Sequence, residues 1–330
     1  MALRGLLSAA GAIALAAAVI TAVPAVGITA FTVSGTEILH PPPHPEDLLP
    51  GYFAGVDVSR IDYPAAVFGM DSSLAVATAG IGGAVRDSAG AVIVAGFSQG
   101  AIAVAYAKQA LMALPEDQRP ALDRLSFLTI GDPAGPAGIL KNVPFRVPVI
   151  GLSPFTAPPT PYASVIVNGE YDAWGDFPDR PWNLVSLANA LLGIIYVHGR
   201  YETIPGGLDL STVPVANVST LTNTLGGTTT SYLIPTVKLP LVQPLRDIGI
   251  PEPIVSALEK PLKAMADAGY SRHDTPVAVP GPQPAGALRT KSRPGRAAAA
   301  AAARSASVGS RPADKTPGPR RSQSRATAVA

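Results

Sequence analysis

The sequence predicts an α/β fold, with a mainly parallel sheet, helices on both faces and a Thr/Pro/Gly-rich cap or insertion. Three observations carry this. Apolar, β-branched runs without alternation, at 28–33, 91–95, 125–130 and 163–167, read as strands buried on both faces. Helical patterns accompany them, chiefly at 101–114 and 182–195, and strand alternating with helix implies parallel pairing. Each strand ends in a small or polar cluster, SGTE, GFSQG, GDPAGP and NGEYD in turn. Such clusters gather at the carboxyl edge of the sheet, where folds of this class bind ligands.

Taken in order, residues 1–27 hold Arg4 as the only charge before Glu37. One basic residue followed by roughly twenty apolar ones suits a signal peptide, cleaved near residues 22–25, or an N-terminal membrane anchor. Either places the next segment outside the cytoplasm, at the cell membrane or secreted to the wall. Residues 28–278 form the sheet domain. Its pattern at 101–114 is rich in small residues (Ala101, Ala103, Ala105), so that helix can pack close to the sheet. The stretch 208–249 has no helical period and reads as extended structure or a cap. At 253–268 helical patterning returns, with Pro253 suited to a first turn and Pro261 expected to bend or divide the helix.

Residues 279–330 read as a disordered, basic Pro/Ala/Arg-rich tail. From residue 280 on, it has ten basic side chains and one acidic, a charge of about +9 that leaves about −7 for the rest of a chain whose net charge is +2. The tail is a candidate for contact with anionic lipid or a wall polymer, and no specific nucleic-acid partner is expected. With no cysteine in 330 residues, the fold relies on its core rather than on disulfides.

Between strand and helix stands Gly96-Phe97-Ser98-Gln99-Gly100. A serine becomes a nucleophile only when a base takes its proton and the backbone projects it toward substrate. A sharp strand-to-helix turn projects it but crowds strand and helix, so positions two before and two after must lack side chains; Gly96 and Gly100 form that elbow around Ser98. An acid and a histidine should follow in chain order. For the histidine, His198 lies beyond an apolar helix and His273 is the alternate. For the acid, Asp172 follows a buried strand by a few residues, with Asp176 and Asp132 as alternates. The oxyanion hole is expected from the amide of Gln99 and from the loop after the first strand, Gly35 and Thr36. Tyr171, Trp174, Phe177 and Trp182 could line an acyl pocket or sit in the core. No cofactor or metal is expected: GIGG at 80–83 is an incomplete dinucleotide motif, no phosphate-binding G-x-x-x-x-G-K occurs, and His40 and His44 lack further ligands.

The segments GVDVSRIDYPAAVFGMD, GFSQGA, IGDPAGP, NGEYDAWGDFPDRPWNLVSLANALLGIIYVHGRY and GGTTTSYLIPT together resemble the PE-PPE C-terminal domain family over about residues 30–275. These are cutinase-like serine α/β-hydrolases of mycobacteria and relatives. The resemblance implies an α/β-hydrolase fold and a serine esterase or lipase acting on acyl esters. The alternative is an acyltransferase moving fatty acyl groups between envelope glycolipids such as trehalose esters, or a non-catalytic lipid-binding protein. It also implies a triad of Ser98, an aspartate of the EYD segment and the histidine of YVH, which favours His198. Two departures are visible: an apolar segment stands where many members carry a PE or PPE module, and the disulfides of true cutinases are missing.

Overall fold

The computed structural model describes residues 27–38, 41–204 and 207–274. The expectations about the amino-terminal segment, His40 and the basic tail lie outside the described residues. Seven strands form one sheet in the order β2-β1-β3-β4-β5-β7-β6. They are β1 (Thr29–Val33), β2 (Asp57–Arg60), β3 (Val92–Phe97), β4 (Leu125–Ile130), β5 (Ala163–Gly169), β6 (Val218–Thr222) and β7 (Thr228–Ile234). Every neighbouring pair is parallel except β6 with β7. The helices are α1 (Pro45–Leu48), α2 (Met70–Asp87), α3 (Gln99–Met112), α4 (Leu184–Tyr196), α5 (Gln243–Asp247) and α6 (Glu252–Asp267).

Successive side chains of a strand point to opposite faces, and here both faces are covered. On one, Val92 and Val94 of β3 pack with Leu74, Ala77 and Ile81 of α2 and with Val104 of α3. On the other, Ile93 and Ala95 meet Leu48, Phe53 and Tyr201. This double burial explains why the strands read as continuous apolar runs. The architecture is the expected α/β class, a mainly parallel sheet covered on both faces, and all four small or polar clusters lie at the carboxyl edge.

At three places the structure completes or sharpens the sequence reading. GIGG sits inside α2, where Leu74, Ala77 and Ile81 are buried in the core; that packing outweighs the low helix propensity of its glycines. Residues 208–249 bear out the extended alternative, while Leu208 and Leu210 at their start pack into the core on one face of the sheet. Their Thr-rich part forms the β6–β7 hairpin, which extends the sheet at its edge beside β5. Finally, α6 runs through Pro261 without division. Pro261 is exposed, so the carbonyl deprived of its helix partner has water available. Meanwhile Arg246 grips Glu252 and Glu259 of the same helix at 2.8 and 2.6 Å.

Candidate active site

The site grows from the end of β3. Ser98 has φ 53° and ψ −114°, a left-handed conformation that a non-glycine residue adopts only when its surroundings enforce it. They do so here. The Ser98 amide donates to the Ile130 carbonyl at 2.9 Å. A Cβ on Gly96 would lie 2.3 Å from the Gly100 carbonyl oxygen, and one on Gly100 would lie 2.3 Å from that of Val33. Strand, helix and the loop after β1 therefore close on one another only because both positions lack side chains.

Ser98 lines an apolar cavity of about 560 Å³ at the carboxyl edge, together with Gln99, Thr36, Trp174 and His198. His198 opens a short 3₁₀ turn, His198–Thr203, after α4. Its ring stacks on Phe97 with centroids 5.0 Å apart. Gly131, at φ +55°, leaves the room the imidazole needs, since a Cβ there would come within 2.7 Å of the ring. Imidazole Nδ1 lies 2.7 Å from Oδ2 of the fully buried Asp172. A carboxylate accepts only, so the proton is on Nδ1, and Nε2 carries the lone pair in the neutral ring.

Asp172 is held from three sides. Oδ2 also accepts from the Tyr201 hydroxyl at 3.0 Å, and Oδ1 accepts from the Trp174 amide at 3.0 Å. The same Tyr201 hydroxyl accepts from the Gly169 amide. Burial, reinforced by the neighbouring carboxylate, raises the Tyr201 phenol well above its ordinary range, so it stays a donor. Tyr201 escaped the sequence reading; its only signal is the spacing of three from His198, which one 3₁₀ turn converts into adjacency.

The structure brings the remaining predicted residues to two different places. Gly35 runs against the nucleophile turn, a Cβ on it being 3.3 Å from that of Ser98, and Thr36 and Gln99 face the cavity. Tyr63, also unforeseen, clamps this region: its hydroxyl donates to the Ser34 carbonyl at 2.9 Å and lies 3.4 Å from Gln99 Oε1. The alternates are engaged with other partners. Asp176 is buried and gripped by both guanidinium nitrogens of Arg272, at 2.7 and 3.0 Å. Burial pushes its carboxyl up to about 6, against the opposing pull of Arg272. Asp176 also accepts from the Tyr171 amide at 2.7 Å, steadying the turn before Asp172. His273 faces Asp267 and Glu170 at 3.7 and 4.0 Å. Asp132 is buried and accepts from the Ala134 amide. Of the four aromatics, Trp174 lines the cavity, Tyr171 and Phe177 are core, and Trp182 is exposed.

This arrangement holds an imidazole against a carboxylate and turns it toward the cavity that Ser98 also lines. Among the described residues no cluster of potential metal ligands occurs.

Comparison with known proteins gives consistent relatives. Residues 54–271 match the PE-PPE domain. The chain is 34% identical over 244 residues to the PPE family protein PPE63 of Mycobacterium tuberculosis, covering 69% of this chain and 49% of that one. It is 37% identical to the esterase PE16 of the same organism, covering 57% and 38%. It is also 37% identical to the diacyltrehalose acyltransferase Chp2, again from M. tuberculosis, covering 56% and 53%. The chain thus spans about half the length of the curated relatives it matches, or less. Among solved structures, lysin B from Mycobacteriophage D29 aligns at 27% identity and TM-score 0.27, covering 34% of this chain and 48% of that one. A cutinase-like protein from Cryptococcus sp. aligns at 16% and 0.30, covering 46% and 79%.

Proposed function

Since the chain belongs to the PE-PPE domain family, we propose that it is a serine esterase or lipase of the cell envelope that works through an acyl-enzyme. The observation that carries this reading is the 2.7 Å contact between His198 and buried Asp172, beside a cavity that also holds the strained Ser98. Ser98 Oγ attacks the ester carbonyl while His198 Nε2 takes its proton. Asp172 fixes the ring and stabilises the imidazolium. The Gln99 amide and the loop at Gly35 and Thr36 offer hydrogen bonds to the oxyanion. His198 then returns the proton to the departing alkoxide, the ester C–O bond breaks, and the acyl group stays on Ser98. Water resolves the acyl-enzyme in hydrolysis.

An acyltransferase reading is favoured by the 37% identity to an acyltransferase; there a sugar hydroxyl replaces water. Apolar walls such as Ile102 and Leu152 suit an acyl chain in both cases. The test is p-nitrophenyl ester hydrolysis over a series of acyl lengths, for the full chain and for Ser98→Ala, with and without trehalose. Release that depends on Ser98 supports the acyl-enzyme. Diversion of product from free acid to acyl sugar selects transfer. Equal background rates in both proteins leave a lipid-holding protein without catalysis.

A further inference from the structure

Helix α4 ends two residues before His198, and its outer surface is unusual. From Pro181 to Gly199 the sequence PWNLVSLANALLGIIYVHG contains no Asp, Glu, Lys or Arg. A helix of a water-soluble surface normally turns a charged face outward. This one does not. Leu184, Leu191 and Ile195, spaced seven and four apart, fall on one stripe, and they are 74%, 47% and 60% exposed. The opposite side is accounted for: Val185 packs with the α6 cluster, Ala190 and Ile194 pack beneath, and Ser186 bonds the Ala266 carbonyl. Among the described residues nothing covers the outer stripe.

The stripe leads into the cavity. Ile195 is both exposed and part of the cavity wall with Ser98, and so is Ile38 from the loop after β1. Phe68 and Val149 are exposed beside two further wall residues, Val67 and Ile150. Their loops are joined where the Met70 amide donates to the Ile150 carbonyl at 3.0 Å. The apolar surface therefore extends from the helix to the mouth, where Glu202 is the one acidic side chain among the wall residues.

We propose that the outer face of α4 and this apolar rim dock on a lipid surface, with the cavity mouth against the lipid. Two observations select lipid over a protein partner. The face is charge-free along the whole helix, whereas protein-binding patches carry a polar rim with hydrogen-bonding groups. Its ends carry the amphipathic aromatics Trp182, 74% exposed, and Tyr196, with Arg200 over the Tyr196 ring at 5.1 Å, the side chains that settle at headgroup level. At the helix end the Tyr196 hydroxyl donates to Asp247. At 13 residues, α4 is about 20 Å long, too short to span a hydrocarbon core of about 30 Å, so it lies in the interface. Docking this way lets an ester-bearing lipid enter the cavity without crossing water. That purpose rests on the ester reading; the docking itself does not.

The absence of cysteine makes the test direct. Leu191→Cys in the full chain is labelled with bimane and mixed with phosphatidylcholine/phosphatidylglycerol vesicles. Asp117→Cys serves as the control; Asp117 is exposed beyond the far end of α3, at the opposite edge of the sheet. The inference expects a blue shift at 191, with quenching by brominated lipid, and neither at 117. It is overturned if the label at 191 stays in water while the protein is vesicle-bound. It is equally overturned if the shift arises without lipid and grows with protein concentration, which would mark a contact between copies. A second variant, Leu184→Glu with Leu191→Glu, should keep its rate on a soluble short-chain ester and lose about tenfold or more on a vesicle-borne ester. Equal losses on both substrates would contradict the docking. If no variant hydrolyses any ester, the catalytic reading fails, and the bimane result still decides the docking.

Discussion

Asp172 accepts from His198, Tyr201 and the Trp174 amide, so a buried carboxylate is matched by donors from two chain segments. Tyr201 is a positioning residue in this account, acting on the reaction through Asp172. Tyr201→Phe removes one donor from the carboxylate and the acceptor of the Gly169 amide. We expect kcat to fall about tenfold with KM little changed, and stability to drop by about 1–3 kcal/mol. Steady-state kinetics beside a thermal melt separates the two; an unchanged kcat would make Tyr201 structural only. The turn at Ser98 and the meeting of Asp172 with His198 beside it were legible in the sequence because such a turn demands glycines at fixed spacing and because the acid and histidine were sought in chain order at strand and helix ends. Tyr201 and Tyr63 were not, since their roles depend on which carbonyls, amides and carboxylates a 3₁₀ turn and a loop bring together.

Packing between elements sets the acid turn. Helix α4 crosses it so closely that a Cβ on Gly193 would fall 1.8 Å from the Tyr171 carbonyl oxygen. Tyr171 itself has φ 67° and precedes Asp172. Gly193→Ala should therefore push α4 outward, costing about 1–3 kcal/mol, read as a Tm several degrees lower. Because α4 leads into His198, activity should fall more than the folded fraction does; a neutral substitution would mean that the helix slides freely. On α3, Lys108 Nζ donates to Ser164 Oγ at 3.0 Å and lies over the Phe127 ring. Burial pushes its ammonium down to about 8. The unfolded chain then holds the proton more tightly, so this group's contribution to stability rises with pH from about 8 toward its ordinary value near 10.5. Chemical denaturation across that window should show the rise in the parent and a flatter curve in Lys108→Met. Parallel curves would refute the shift. Element identity was legible where one physical signal dominated, as in the four central strands. It was hidden where tertiary packing decided: in α2, whose glycines argue against a helix, and in β2, a short polar edge strand; α6 was legible as a helix, and only its running undivided through Pro261 was not.

At the scale of the molecule, one sheet edge collects the serine turn, the acid turn and the histidine turn over an apolar cavity, and the apolar rim opens beside them. The parallel order follows from strands buried on both faces, which the sequence displayed as runs without alternation. The hairpin at 218–234 was less legible, because threonine-rich extended chain fits a sheet edge and a covering loop equally well until its partner strand is known. The central claim is that Ser98 is the activated nucleophile of this edge. Labelling the full chain with a fluorophosphonate and mapping the adduct by peptide mass tests it most directly. A single adduct is expected on the peptide carrying Ser98, absent in Ser98→Ala and formed much more slowly in His198→Ala. Labelling that persists unchanged in Ser98→Ala, or that does not slow without His198, would contradict it.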